Sequence, residues 1–160
     1  MNNRIISQQR IVFGTDELKN ISHYLEEIST QKIMVFHGTS SYQASGAKDI
    51  FDRLAENNKY QFQFVGNIAE NPQWDFITGQ LHKYQEFQPD TIIAVGGGSV
   101  IDVAKLFMAI SDKNQDTLNN ELSIENKPCF IAVPTTAGSG AESTHFAVVY
   151  KDNKKHSLVH

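Results

Sequence analysis

Cysteine is almost missing from this sequence. The 160 residues contain one, Cys129. An internal disulfide framework is therefore excluded, and the composition fits a reducing compartment, the cytoplasm. Long apolar runs are missing too: none reaches the roughly 18 residues of a membrane span. The opening stretch MNNRIISQQR lacks the apolar core of a signal peptide. Excess positive charge is absent. The formal net charge is −4, which excludes a broad nucleic-acid footprint. Neither internal repeats nor a low-complexity tract occurs. What is present is ordinary for a globular chain, 40% hydrophobic and 20% charged. The length suits one domain, which at this size buries about 68–70% of its extended surface.

Strand-like and helix-like patterns alternate along the chain. RIVFG (10–14) reads as a short strand or strand end. In residues 15–29, Leu18, Ile21, Leu25 and Ile28 mark one face of a helix. KIMVF (32–36) is a short apolar run, the pattern of a strand buried on both faces. Ser45 is placed to cap a helix in which Ala47, Ile50, Phe51 and Leu54 recur at helical spacing. YQFQFVG (60–66) alternates as a half-buried strand does. Trp74, Ile77, Leu81 and Tyr84 mark another amphipathic helix. TIIAV (91–95) and CFIAV (129–133) read as two more interior strands. Between them, Val100, Ile101, Val103, Ala104, Phe107 and Met108 make a helix apolar almost all round, hence buried. Residues 112–127 are polar and loop-like. HFAVVY, a turn at KDNKK and HSLVH read as a β-hairpin. The expected fold is α/β: a Rossmann-like, mostly parallel sheet with helices on both faces, plus the C-terminal hairpin. Ligands of such sheets sit at the carboxyl ends of the strands.

Two loops fall at that edge. In IIAVGGGSVIDVAK (92–105), Gly96, Gly97 and Gly98 stand where a strand hands over to a helix. Glycine permits positive φ and close approach of the backbone. The following helix start offers unpaired N–H groups and a partial positive charge, an anion site suited to phosphate. Ser99 adds a hydroxyl. The dinucleotide fingerprint G-x-G-x-x-G fails because position 101 is Ile101, and the Gly-Lys-Ser/Thr end of a P-loop is absent. On the residues alone, a bare turn and a phosphate cradle stand equal. Asp102 and Lys105, three apart, favour an ordinary helical ion pair over a cofactor role.

The second loop, PTTAGSGAES (134–143), has two threonine hydroxyls, a Gly-Ser-Gly turn and Glu142. GGGSVIDVAK followed by AVPTTAGSGAE resembles the iron-containing alcohol dehydrogenase family, and Asn71-Pro72 is similar to a recurring pair of that family. The resemblance runs from about residue 10 to the C-terminus. It implies that residues 1–160 are the N-terminal dinucleotide-binding domain. The helical domain that carries the catalytic Fe2+ or Zn2+ would be absent. It implies a cofactor, NAD or NADP. Gly96, Gly97, Gly98 and Ser99 match the diphosphate loop, Asp102 and Lys105 the polar positions beside it, and Thr135 and Thr136 the adenosine part. Ser139 stands where threonine is frequent. The substrate of a whole enzyme would be an alcohol or aldehyde.

One departure concerns the cofactor. Many family members carry an aspartate after the second strand, where it accepts from a ribose hydroxyl. This chain has VFHGTSSYQ there, with Gly38, Thr39, Ser40 and Ser41 and no acid. The substitution leans towards NADP. A second departure concerns the metal. His156 and His160 are four apart but lie in a strand-like segment, so no metal ligand is assigned to this chain. His23 and His82 read as surface or packing residues. The face left open by a missing domain offers a route to a homodimer. Two other readings stay open: a stand-alone nucleotide-binding module, or a glycerol dehydrogenase or dehydroquinate synthase type of enzyme, against which PTTAGSG argues.

Overall fold

The computed structural model describes residues 9–110 and 128–159. The polar stretch 112–127 and His160 lie outside the described residues. A 3-10 turn at Glu17–Asn20 leads into helix α1 (Ile21–Glu27). Strand β1 (Lys32–His37), helices α2 (Ser40–Ala44) and α3 (Ala47–Glu56), and strand β2 (Gln61–Val65) follow. Then come α4 (Trp74–Phe87), β3 (Thr91–Gly96), α5 (Gly98–Ile110) and β4 (Cys129–Pro134). A 3-10 turn at Ala141–Ser143 and the hairpin β5 (Phe146–Lys151) and β6 (Lys154–Val159) complete the described chain.

Four strands form one parallel sheet in the order β2-β1-β3-β4. Parallel strands buried on both faces need apolar residues in both phases of the pleat, and β1 and β3 have them. Met34, Phe36, Ile92 and Ala94 point to one face, where α4, α5 and the hairpin cover them. Ile33, Val35, Ile93 and Val95 point to the other, under α1, α2 and α3. At the amino edge the Asp90 carboxylate accepts from the N–H groups of Gln31 (2.9 Å) and Lys32 (3.0 Å), which ties the starts of β1 and β3 together. The hairpin is a separate two-stranded sheet. Its turn places Asp152 and Asn153 at φ 51° and 58°, the tight turn that asparagine and aspartate tolerate.

Three details differ from the sequence expectations. Residues 10–14 form no strand, and Ile11 (79%) and Phe13 (99%) are exposed. Apolar spacing cannot make a strand without a neighbouring edge to bond. β4 is an edge strand of the described sheet and is only partly buried. Its apolar run reflects cover on its faces, which does not require two neighbours. Ser45 lies one residue before the actual cap of α3, Gly46 at φ 75°. Its hydroxyl still accepts from Ala47 N–H at 3.4 Å.

Candidate functional site

The strand order creates a topological switch point. From β1 the chain turns to α2 and α3 on one face. From β3 it turns to α5 on the opposite face. Connections that leave neighbouring strands in opposite directions open a crevice between their carboxyl ends, the place where doubly wound sheets bind ligands. The last paired residues of β1 and β3 are His37 and Val95. Directly beyond them lie Gly38-Thr39-Ser40 and Gly96-Gly97-Gly98-Ser99.

The glycine triplet is required by packing rather than by φ. None of the three has a positive φ, contrary to one of the two reasons the sequence offered. A Cβ on Gly96 would sit 2.5 Å from Val100 Cγ2. On Gly97 it would sit 2.9 Å from Thr136 Oγ1, and on Gly98 3.1 Å from Ser139 Cβ. The two unusual loops therefore lie against each other, and the missing side chains make that possible. Thr135 N–H donates to Gly96 O at 3.0 Å and joins them further. Left-handed backbone occurs instead in the second loop, at Gly138 (φ 93°) and Gly140 (φ 61°).

The start of α5 faces the same crevice. Val100 and Ile101 N–H both donate to Gly97 O, at 3.0 and 3.2 Å. The N–H groups of Gly98 and Ser99 precede any intrahelical acceptor and carry the positive end of the helix dipole. The Thr135 hydroxyl oxygen, on the residue whose N–H bonds to Gly96 O, is buried without a hydrogen-bond partner. A buried hydroxyl in that state is expensive unless a ligand completes it. The bare cradle, the free amides and the orphaned hydroxyl together suit a diphosphate and its flanking sugar.

Asp102 and Lys105 do something that their spacing did not reveal. Rather than pairing with each other, Asp102 reaches the hairpin and Lys105 reaches its first residue and the turn before it. Asp102 Oδ2 accepts from Val148 N–H at 3.2 Å. Lys105 Nζ donates to Ala141 O, to Thr144 O (2.8 Å) and Oγ1 (3.3 Å), and to Phe146 O (3.0 Å). Burial pushes the Asp102 carboxyl up, partly offset by the Val148 N–H and by the charges of Lys105 and Lys155. Burial likewise pushes the Lys105 ammonium down, against the pull of Asp102 and Glu142. Lys155, on β6, was not picked out from the sequence. Only the hairpin pairing brings it near Asp102, and no local motif announces that.

On the β1 side, Gly38 N–H donates to Val95 O at 3.1 Å, and a Cβ there would meet Ser41 Oγ at 2.4 Å. Thr39 and Ser40 are positioned at the start of α2, and the Thr39 side chain makes no capping bond to that helix. His37 stacks on Tyr42 with ring centroids 4.2 Å apart, and its Nδ1 lies 2.9 Å from Gly38 O. The structure thus sets Gly38 and Thr39, at the end of β1, next to the loop of Gly96, Gly97, Gly98 and Ser99 at the end of β3, against which Thr136 and Ser139 pack and to which the Thr135 N–H bonds. Ser40 opens α2 on the β1 side, and Asp102 and Lys105 hold the hairpin and the residues just before it. Among the described residues no group of three His, Cys, Asp or Glu could hold a metal ion. His156 sits on a strand, opposite Val149. No described helix is long and apolar enough to cross a membrane.

The family model of iron-containing alcohol dehydrogenases matches residues 8–160. The chain belongs to that family. This iron-containing alcohol dehydrogenase homologue is 31% identical over 143 residues to the long-chain primary alcohol dehydrogenase of Thermoanaerobacter ethanolicus, covering 85% of this chain and 36% of the relative. To the NADPH-dependent butanol dehydrogenase of Clostridium saccharobutylicum it is 28% identical over 156 residues, covering 92% and 39%. The crystal structure of NADH-dependent butanol dehydrogenase A of Thermotoga maritima superposes with a TM-score of 0.82 at 21% identity, covering 95% of this chain and 39% of that one. The chain therefore spans about two fifths of the length of these relatives, with shares of 36%, 39% and 39%.

Proposed function

We propose that this chain is the cofactor-binding domain of an iron-type alcohol dehydrogenase or aldehyde reductase. It would hold NAD(P) with the diphosphate on Gly96–Ser99 and the adenosine ribose beside Gly38. The observation that carries the reading is the contact of the two loops across the glycine triplet, at the switch point and over the free amides of α5. When bound, the nicotinamide would exchange a hydride with the substrate carbon, giving one to an aldehyde or taking one from an alcohol. The chain's own residues bind and orient it. Ser99 and the α5 amides hold phosphate oxygens. Thr135 and Thr136 hold the adenosine side. Asp102 and Lys105 fix the hairpin that walls the other flank. The cofactor leans to NADP, because the loop directly after β1 carries no acid where the family often has an aspartate, and Thr39, Ser40 and Ser41 can donate to a 2′-phosphate. An acting metal would be held elsewhere than on the described residues.

Titration calorimetry of the purified chain with NADP, NAD and ADP-ribose tests this. Binding of all three, lost in Gly97→Val, is the expected outcome. Binding unchanged in Gly97→Val would reject the diphosphate site. A preference for NAD, or equal affinity, would reject the NADP leaning. The isolated chain is expected to show no turnover. Metal-dependent oxidation of NAD(P)H with an aldehyde would contradict the assignment of the metal ligands to a separate domain.

A further inference from the structure

A cavity of about 300 Å³ opens beside His37 at the carboxyl ends of β1 and β2. It starts at Thr39, so it continues directly from the place assigned to the adenosine ribose. One strand spacing, about 4.8 Å, separates β1 from β3 and its glycine loop. His37, Tyr42 and Phe64 form aromatic walls, and Asn67 contributes a polar edge. The cavity contains one lysine, Lys48, and one carboxylate, Asp52. Both come from α3 and pair with each other one helical turn apart. Their side chains are 48% and 47% exposed. An ion pair that exposed is worth little, about 0–1 kcal/mol, so its partner can be exchanged.

The Tyr42 hydroxyl is buried without a partner in the same wall. Burial, together with the Asp52 charge, holds that phenol above its ordinary range, so it remains a proton donor. A lysine with a replaceable partner, an unused phenol and the Thr39 hydroxyl form a donor set for an anion. A ribose 2′-phosphate is the anion that the cofactor reading would bring there.

We propose that Lys48 recognises the 2′-phosphate of NADP, and that Asp52 opposes it by competing for Lys48 and by repelling the phosphate. This inference rests on the cofactor reading above. It makes the two halves of one ion pair act with opposite signs. A pair that only braces α3 would respond alike to loss of either member.

The test is calorimetry with NADP against NAD, and with adenosine 2′,5′-bisphosphate against 5′-AMP, pairs that differ only in the 2′-phosphate. Lys48→Met is expected to weaken NADP and the bisphosphate roughly tenfold, the loss of one charge-assisted contact. NAD and 5′-AMP should stay within about twofold. Asp52→Asn should tighten NADP and leave NAD unchanged. Equal effects on both cofactors, no effect of Lys48→Met, or weakening of NADP by Asp52→Asn would each overturn the role of Lys48. In those cases binding to the glycine loop would stand. If neither cofactor binds the unmodified chain, the cofactor reading falls and the role of Lys48 with it.

Discussion

At the residue scale, two glycines show how one residue type answers two different demands. Gly97 has ordinary φ but no room, since Thr136 would lie 2.9 Å from its Cβ. Gly138 has room, with nothing within 4 Å, but a φ of 93°. Gly97→Ala should therefore destabilise through a removable neighbour, and Thr136→Ala should relieve most of the loss. Gly138→Ala should lose about 1–2 kcal/mol of stability whatever Thr136 is. Thermal melts of the single and double variants check this. Coupling between positions 97 and 136, and none between 138 and 136, is the expected result. The sequence made the need for glycine legible at 96–98. At Gly97 and Gly98 the reason stayed hidden, because the neighbours that fill the space, Thr136 and Ser139, are distant in the sequence.

Asp102 gives a pH signature at the same scale. Its folded pKa is raised, so between its unfolded and folded values the folded state holds more protons than the unfolded state. Stability then falls as pH rises through that window and is greatest below the unfolded pKa. Asp102→Asn keeps an oxygen to accept from Val148 N–H and removes the charge. Its stability relative to the parent should be most favourable near neutral pH. The difference should shrink or reverse as pH falls through the carboxylate range. Melting temperatures across that range and up to neutrality measure it, and a difference independent of pH would contradict the burial of this carboxylate.

At the element scale, the hairpin β5–β6 shows what a sequence can and cannot reveal. Its strands and turn are legible, because alternation and KDNKK are local. Its docking is not, because the ties are long-range: Ala147 and Val149 are buried in the core under the sheet, Val148 N–H donates to Asp102, Tyr150 N–H donates to Pro72 O, and the Lys105 ammonium reaches four acceptors from Ala141 to Phe146. The same contrast explains residues 10–14 and β4. An apolar run marks a segment that can be covered, while the neighbour that covers it is set by the fold. Lys105→Ala removes the ammonium and leaves those carbonyls short of a donor, at a cost of about 1–3 kcal/mol. Hydrogen exchange should accelerate across 146–159 while β1 and β3 keep their protection. Lys105→Arg should recover part of it. Uniform acceleration over the whole sheet would show that the hairpin is not held separately by Lys105.

At the scale of the whole molecule, alternating patterns announced a parallel sheet. The order β2-β1-β3-β4, and with it the switch point, depends on which faces the helices choose, and composition does not encode that choice. This order puts β1 and β3 at the centre, where both cores share them. The two strands send alternate side chains into separate clusters, one around Phe107 and one around Phe51. Phe107 packs on Phe36 with centroids 4.8 Å apart, and Phe51 packs between Tyr42 and Phe62 at 6.4 and 6.3 Å. Both are fully buried. Because each core is one face of the same two strands, neither can melt while the other stays ordered. Phe51→Ala and Phe107→Ala should each remove about 3–5 kcal/mol, from opposite sides of the sheet. Each should move one common unfolding midpoint down by roughly 6–20 °C. Fluorescence of Trp74, which lies in the Phe107 core, should follow the same curve as far-ultraviolet circular dichroism in both variants. Two separate transitions in Phe51→Ala, with Trp74 reporting only the later one, would mean that the faces fold independently. The crevice between the ends of β1 and β3 would then lack the rigid floor that the proposed cofactor site requires.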